Sequence, residues 1–578
     1  MTERNDMPAS RALPAPALRM RALRARPADA VRRAERTGLM LQLAAPLIWI
    51  PQAGLLAHAV GAIAAGASAD AALMPALGIA LLGFLRAGCD AAGARLSFRA
   101  ARAELSRLRA EATRALAARS PLDLDRPASG LAASVLAEQA EAVVPYLARF
   151  RPARMKASLL PLVLLAFVLP ISWLAGIILL VTAPLIPLFM ALIGLQAKAA
   201  SEAQLVEMGS MNGFLLDRLR GLATIRGLGA VDATARRLRA DAESLRTRTM
   251  AVLRIAFLSS AVLELFAAVG VALVAAYIGL FLLGMLDVGA TGQPFGLAGG
   301  LFMLLLAPTF YEPLRELAAA WHDRAAGQAA IEALERLAAP GETLPGQTLL
   351  GADDAPHTDT AFAAPAVRVE GLGFRHGAGA AVFDGFDLTV APGEHVALFA
   401  PSGAGKSTLI ALIAGLAAPQ AGRVLIDGEA LTPASAARLR ARMAYIGQKP
   451  HIFAGTLARN VALGRPRVDH AAVRAALQAA RLDAVAARRG PAPVGEAGRG
   501  LSGGEALRLA LARLAATPEA GLILADEPTA HLDATTAQEV TEGLLVLAQG
   551  RTLIIATHDP ALAARMDRVV TLAAEDRP

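Results

Sequence analysis

The chain has 578 residues, 55% of them hydrophobic and only 18% charged, with a mean hydropathy of +0.47. A soluble protein of this length would not carry so much apolar surface, so membrane spans are expected, and the length suggests several domains. The net charge of +8 admits a nucleic-acid partner, but the basic residues cluster beside apolar spans, and the cytoplasmic bias of Lys and Arg explains them with no nucleic acid involved; the single cysteine, Cys89, excludes an intrachain disulfide and a cysteine-built zinc site.

Residues 1–36, rich in Arg, Pro and Ala, read as a basic cytoplasmic N-terminal arm. Six apolar spans follow at about 39–64, 71–92, 157–171, 173–195, 252–286 and 295–319, each near the ~20 residues needed to cross a bilayer. Pro170 and Ser172 split the third from the fourth, which demands a tight hairpin. The connections 96–156 and 196–249 are long, helical in pattern and crowded with arginine, among them Arg102, Arg109, Arg218 and Arg236. That bias places both loops, and both termini, in the cytoplasm. The expected architecture is an all-α transmembrane domain of six spans over 37–338 with long cytoplasmic helical loops. Residues 339–366 are rich in Pro, Gly and Ala without periodicity and read as a linker. From 367 to 578 strand and helix patterns alternate, as in a cytosolic α/β domain.

The chemistry concentrates in that last domain. Residues 400–408 (APSGAGKST) lie between an apolar strand pattern and an apolar helix pattern, the context of a phosphate-binding loop. Its glycines turn backbone N–H groups toward phosphate oxygens, and the helix N-terminus adds positive potential. Ser402, Gly403, Ala404, Gly405, Lys406, Ser407 and Thr408 are therefore expected to hold the phosphates of ATP, with the Ser407 hydroxyl also ligating Mg²⁺. Ala400 replaces the first glycine of the usual GxxxxGK[ST] pattern. The apolar strand 521–526 delivers Asp526, a carboxylate for Mg²⁺, and then Glu527, placed to polarise an attacking water. Leu501, Ser502, Gly503, Gly504 and Glu505 open another helix, a second anion-binding terminus that fits a site completed by another subunit. Gln448 follows a strand-like stretch at 443–446 and can reach the metal or the water. His558, after the strand 552–556, can bond the γ-phosphate and hold Glu527 in place.

In this order the motifs resemble those of ABC transporter ATPases: Walker A at 400–407, the Q-loop Gln448, the LSGGE signature at 501–505, Walker B at 522–526, the catalytic Glu527, the D-loop at 531–533 and the H-loop His558. Residues 494–498 (VGEAG) look like the loop before the signature in exporters. The resemblance puts His376, near Phe374, where an aromatic residue stacks on adenine. The signature ends in Glu505 where glutamine is usual, and the added negative charge is expected to slow turnover. Six spans and one such domain resemble an exporter half-transporter. Stretches 182–195 (TAPLIPLFMALIGL), 216–229, 248–266 and 306–314 (LAPTFYEPL) are similar to the bacterial CydDC exporter family. That resemblance implies ATP hydrolysis with Mg²⁺, placement in the bacterial inner membrane and a CydC-like half-transporter as partner in a heterodimer. It also implies a small-molecule cargo, glutathione or cysteine moved from cytoplasm to periplasm, and a part in haem handling and cytochrome bd assembly. Alternatives are a haem transporter of the same family, a lipid or drug exporter of the same architecture, and a membrane-anchored regulatory ATPase. Residues 212–226 are the expected coupling segment.

Three ionisable residues inside the spans are candidates for a cargo path: Arg86 and Asp90, four apart on one face of the second span, and Glu264 in the fifth. Charges at the middle of a span cost about 2.5–3.5 kcal/mol each on insertion scales and normally face the bundle interior. Two readings stay open, an ion pair between helices near the membrane edge or Arg86 meeting a cargo carboxylate. His58 and His322 are weaker candidates for a haem ligand.

Overall fold

The structure, a computed structural model, describes residues 29–186, 189, 218, 221–346, 363–377, 379–401, 403–494, 500–530 and 532–572. Ser402, His531, residues 495–498 of the loop before the signature, most of the coupling segment and the end of the fourth span lie outside the described residues. The chain divides into two compact units, residues 1–110 with 130–336, and residues 111–129 with 337–578.

The first unit is helical. Its principal helices are α1 (Asp29–Leu47), α2 (Trp49–Ala64), α3 (Leu73–Ala118), α4 (Arg151–Val168), α5 (Trp173–Thr182), α6 (Val231–Leu282), α7 (Leu297–Ala319) and α8 (Trp321–Leu337). Among the described residues, four stretches are long and apolar enough to cross a membrane: Asp29–Ala64, Ala69–Ala118, Glu264–Leu282 and Leu297–Leu337. They fall on the first, second, fifth and sixth predicted spans, while α4 and the shorter apolar α5 carry the third and the start of the fourth. Pro51 has no N–H for the carbonyl of Leu47, so the helix breaks at Ile48 and restarts with Pro51 in its first turn. The hairpin between α4 and α5 is tight, with only residues 169–172 between the two helices. Ser172 caps α5 by accepting from the Ala175 N–H at 3.2 Å, and its hydroxyl donates to the Gly289 carbonyl at 2.7 Å.

Leu160, Leu164, Leu179, Met303, Leu306 and Phe310 form the core of this unit. The outer face is apolar too: Leu81 and Phe84 on α3 and Phe257 on α6 are among its exposed side chains. Water would penalise such a surface, so lipid or another apolar partner is its natural solvent.

Among its described residues the second unit holds two sheets. β1 (Val367–Arg375), β2 (Ala381–Val390), β4 (Ala421–Ile426) and β5 (Glu429–Ala430) form an antiparallel sheet in the order β2-β1-β4-β5. β3 (His395–Phe399), β6 (Met443–Ile446), β7 (Leu522–Asp526), β8 (Thr552–Thr557) and β9 (Arg568–Thr571) form a parallel sheet in the order β6-β7-β8-β3-β9. Every residue of β7 and β8 is buried, which is why both read as continuous apolar runs rather than alternating ones. Because the strands are parallel, everything at their C-terminal ends gathers along one edge, where ligands bind in open α/β sheets.

One segment of the second unit lies, in sequence, between two stretches of the first. Residues 111–129, read as part of a cytoplasmic loop of the transmembrane domain, pack with the second unit. The Ser120 hydroxyl donates to the Leu416 carbonyl at 2.6 Å, the Ser120 N–H to the Glu342 carbonyl at 2.8 Å, and Leu122 packs against the core beneath the antiparallel sheet. Arg119 pairs with Asp123 at 3.4 Å, both side chains about 95% buried, and Arg119 also donates to the carbonyls of Asp125 and Ala339. Removing one member of a buried pair leaves the other charge uncompensated, at a cost of about 3–5 kcal/mol. Asp123→Asn is therefore expected to lower the apparent melting temperature of the second unit, followed by thermal unfolding of the full-length protein, whereas Asp125→Asn, whose backbone carbonyl carries the contact, leaves it unchanged.

Candidate functional site

Three neighbouring strands of the parallel sheet deliver the site. β3 ends at Phe399 and runs into the phosphate loop, which turns into α9 (Lys406–Ile413). β7 ends in Asp526, next to Glu527, and β8 leads to His558. The register places Asp526 beside Ala556 and Phe399 beside Thr557, so the three strand ends are level.

Gly405 caps α9 in the left-handed region, φ +93°, and a Cβ there would lie 2.6 Å from Val382 Cγ1. Lys406 is 4% exposed, its Nζ donating to the carbonyls of Ala400 at 2.7 Å and Pro401 at 3.0 Å and pairing with Glu527 Oε1 at 3.3 Å. The other oxygen of Glu527 bonds His558 Nδ1 at 2.5 Å. Glu527 is 8% exposed and itself left-handed, φ +49°, an unusual conformation for a residue with a long side chain. The Ser407 hydroxyl donates to Asp526 Oδ1 at 3.0 Å. Burial pushes the Asp526 carboxyl above its usual range, and the negative charge of Glu527 adds to that, while Ser407 and Lys406 oppose it. One small volume thus holds a buried ammonium, two carboxylates, a hydroxyl and an imidazole.

The structure brings together Lys406, Ser407, Asp526, Glu527 and His558. His376 lies close by: its Nε2 is 3.2 Å from the Thr408 hydroxyl and its ring stands edge-on to Phe374, centroids 5.1 Å apart. Gln448 follows β6 as expected but is exposed, and among the described residues it makes no bond to this cluster. The signature opens α10 (Gly503–Ala515). There Glu505 is half of a capping box: its carboxylate accepts the Ser502 N–H at 2.8 Å while Ser502 Oγ accepts the Glu505 N–H at 3.2 Å. The spacing S-x-x-E in the sequence carries that signal. Gly504 abuts Thr536 in the first turn of α11 (Ala534–Ala548), where a Cβ would meet Thr536 Cγ2 at 2.4 Å.

In the helical unit, Arg86 and Asp90 do share one face of α3, and both line a cavity of about 610 Å³. No ion pair joins them among the described residues; the Arg86 guanidinium lies over the Trp49 indole instead, 5.4 Å from its centroid. Glu264 is not in that cavity. It pairs with Arg315 at 3.0 Å, the helix-to-helix ion pair at the end of a span, and the two line a smaller pocket of about 350 Å³. Sequence reasoning missed Gln52, Lys156, Glu312 and Glu316 in the larger cavity, although the charges at 312–316 (EPLRE) fall inside the predicted sixth span. His58 and His322 are exposed and line neither.

The loop geometry separates its two small-residue positions. Gly405→Ala is expected to weaken equilibrium nucleotide binding by roughly tenfold or more, since left-handed backbone alone costs ~1–2 kcal/mol and Val382 must also move. Ala400 is buried and its φ is not positive, so Ala400→Gly should leave binding within about threefold of the parent.

Two family models match: the ABC transporter model over residues 383–530 and the ABC transporter transmembrane region model over 37–303. The chain is 34% identical to the transport ATP-binding protein AarD of Providencia stuartii, over 90% of this chain and 88% of that one. It is 36% identical to the glutathione/L-cysteine transport system ATP-binding/permease protein CydD of Escherichia coli, over 75% and 72%. Among solved structures, a bacterial Atm1-family ABC exporter with ATP bound superposes with a TM-score of 0.67 at 22% identity, covering 95% of both chains, a likeness of fold. With its helical membrane region, its ATPase domain and relatives of this identity over most of its length, the chain belongs to the ABC transporters as a multi-pass inner-membrane half-transporter of the CydD type, with its ATP-hydrolysing domain in the cytoplasm.

Proposed function

We propose that this half-transporter uses ATP to move glutathione or cysteine from cytoplasm to periplasm, in a heterodimer with a CydC-like half. The observation that carries the reading is the kinship over most of the chain with CydD proteins named for glutathione/L-cysteine transport, at 34% and 36% identity. It is supported by the gathering of Lys406, Ser407, Asp526, Glu527 and His558 at the strand ends, which a merely regulatory ATPase would not need. The glutathione/L-cysteine transport system ATP-binding/permease protein CydC of Bacillus subtilis is 29% identical to this chain over 90% of this chain and 89% of that one, which supports a pair whose two halves are variants of one architecture.

The residues divide the work as follows. Lys406, held by loop carbonyls and by Glu527, is a buried cation whose natural counter-charge is a phosphate. A phosphate competes with Glu527 for it, and Glu527 then keeps His558 as its partner. Glu527 polarises the attacking water, and His558 orients that carboxylate. Ser407 and Asp526 fit a Mg²⁺ ion, which would neutralise developing charge on the phosphates. Among the described residues no group of three or more His, Cys, Asp or Glu side chains could hold a metal unaided, so these two would hold it together with phosphate oxygens. His376 stands beside Thr408 as the adenine-side residue, and Gln448, Ser402, Gly403 and Ala404 complete the nucleotide contacts. The LSGGE helix serves the partner's nucleotide, so each ATP lies between two subunits.

Inverted membrane vesicles carrying the full-length transporter test the reading. ATP is expected to drive uptake of labelled glutathione or cysteine, and Glu527→Gln should lower both uptake and ATP turnover by about 10²-fold or more while nucleotide still binds. Uptake of haem but neither thiol would replace the cargo, and turnover unchanged in Glu527→Gln would remove that residue from its role.

A further inference from the structure

The membrane cavity has a charge pattern that the ATPase chemistry does not use. Five charged side chains line it: Arg86, Asp90, Lys156, Glu312 and Glu316. Three of them have partners, Lys156 with Glu316 at 3.1 Å and Glu312 with Arg315 at 2.8 Å. Arg86 and Asp90 remain, one helical turn apart, and among the described residues neither has an ion pair. Arg86 lies over the Trp49 ring, a contact that fixes a guanidinium by its face and leaves its edge free for a carboxylate.

A third group points the same way. Gln52 is 5% exposed and lines the cavity; its Nε2 donates to the Ile79 carbonyl at 3.0 Å, but its Oε1 is buried with no hydrogen-bond partner. An unsatisfied buried acceptor costs about 1–3 kcal/mol, which a ligand N–H would offset. Gly83, one turn before Arg86 and Ala87 on the same face of α3, leaves no side chain between that helix and the Gln52 amide: a Cβ there would sit 3.4 Å from Nε2.

Among the described residues the cavity therefore presents one cation and one anion without ion pairs and one buried acceptor without a hydrogen-bond partner. Side chains four apart on a helix face have Cβ atoms about 5–6 Å apart, a spacing that suits two opposite charges carried on a single carbon. We propose that this cavity binds an α-amino-acid zwitterion, free or as the γ-glutamyl end of a peptide, with the α-carboxylate on Arg86 and the α-ammonium on Asp90 and Gln52 Oε1. The assignment of cargo class rests on the export reading above, and it sharpens that reading: cysteine carries this head, and glutathione carries it at its γ-glutamyl end. The volume of about 610 Å³ lies within the ~300–1,000 Å³ of small-molecule sites.

The test uses the full-length transporter in lipid nanodiscs with Trp173→Phe and Trp321→Phe, which leaves Trp49 as the sole tryptophan of the chain's three. Its fluorescence is titrated with L-cysteine, glutathione, N-acetyl-L-cysteine and L-cysteine ethyl ester, and the series is repeated by isothermal titration calorimetry on the native sequence. L-Cysteine and glutathione are expected to bind saturably, and the two blocked cysteines about tenfold or more weaker, the loss of one charge-assisted hydrogen bond. Arg86→Gln should weaken L-cysteine by a similar factor without weakening the ethyl ester, Asp90→Asn should weaken it without weakening the N-acetyl compound, and Arg86→Lys should recover part of the loss. The proposal is overturned if no ligand binds saturably, if blocked and unblocked cysteines bind alike, or if each variant shifts all four ligands equally. Vesicle transport separates the two readings: thiol uptake that is indifferent to binding at Trp49 sinks the site alone, and zwitterion binding with no uptake sinks the export reading alone.

Discussion

A buried ammonium must have acceptors, and the placement of Lys406 organises the second unit around that need. At 4% exposure it is surrounded by two loop carbonyls and the Glu527 carboxylate, because an unpaired charge there would be far too costly. Supplying those acceptors takes the end of β3 for the carbonyls, the end of β7 for Glu527 and the end of β8 for the His558 that holds it. Strand order and level ends follow from the same requirement. So does the left-handed backbone of Glu527, a strain of about 1–3 kcal/mol that aims the carboxylate back over the loop instead of along the strand.

This part of the molecule was legible in the sequence because each piece is local. A strand, a glycine turn and a helix stand in contiguous residues at 394–416, and an apolar run ending in Asp526 and Glu527 declares a buried strand with acids at its tip. The first, second, fifth and sixth membrane spans were legible by length and composition, and fall on the four long apolar stretches found among the described residues. What was not legible depends on partners distant in the chain. Residues 111–129 look like more of a basic helical loop, yet a buried Arg119–Asp123 pair and the Ser120 contact with Leu416 tie them to the second unit. The i, i+4 spacing of Arg86 and Asp90 suggests an ion pair, and Trp49, from another helix, takes the guanidinium instead. Glu264 finds its counter-ion 51 residues away, at Arg315.

The helical unit treats its charges in two different ways. Glu264 and Glu312 share Arg315 at a helix surface, and Lys156 pairs with Glu316. Such groups hold helices in register, and a pairing of opposite charges offsets much of their desolvation. Arg86 and Asp90 do not follow that pattern. They line the cavity that Glu312, Lys156 and Glu316 also line, but among the described residues they have no ion pair, and the Gln52 oxygen beside them has no hydrogen-bond partner. Of these groups the Gln52 oxygen is buried without a partner among the described residues, a cost to stability that suits a site arranged for something that enters it.

The signature helix resolves a conflict between charge and function. A carboxylate at the last position of LSGGE would repel a nucleotide if it were free. Glu505 is not free: it accepts the Ser502 N–H, it lies 3.7 Å from Arg488, and in the first turn of α10 it sits where the helix dipole favours an anion. Its neighbour Gly504 shows the other half of the arrangement. The N–H of Gly504 has no acceptor among the described residues, and the space a side chain would need is filled by Thr536. The capping box thus consumes the charge and steadies the helix end, while a bare backbone donor stays available for an anion that this chain does not itself supply. A helix terminus finished in this way suits the proposed site, in which a second nucleotide-binding domain would stand against it.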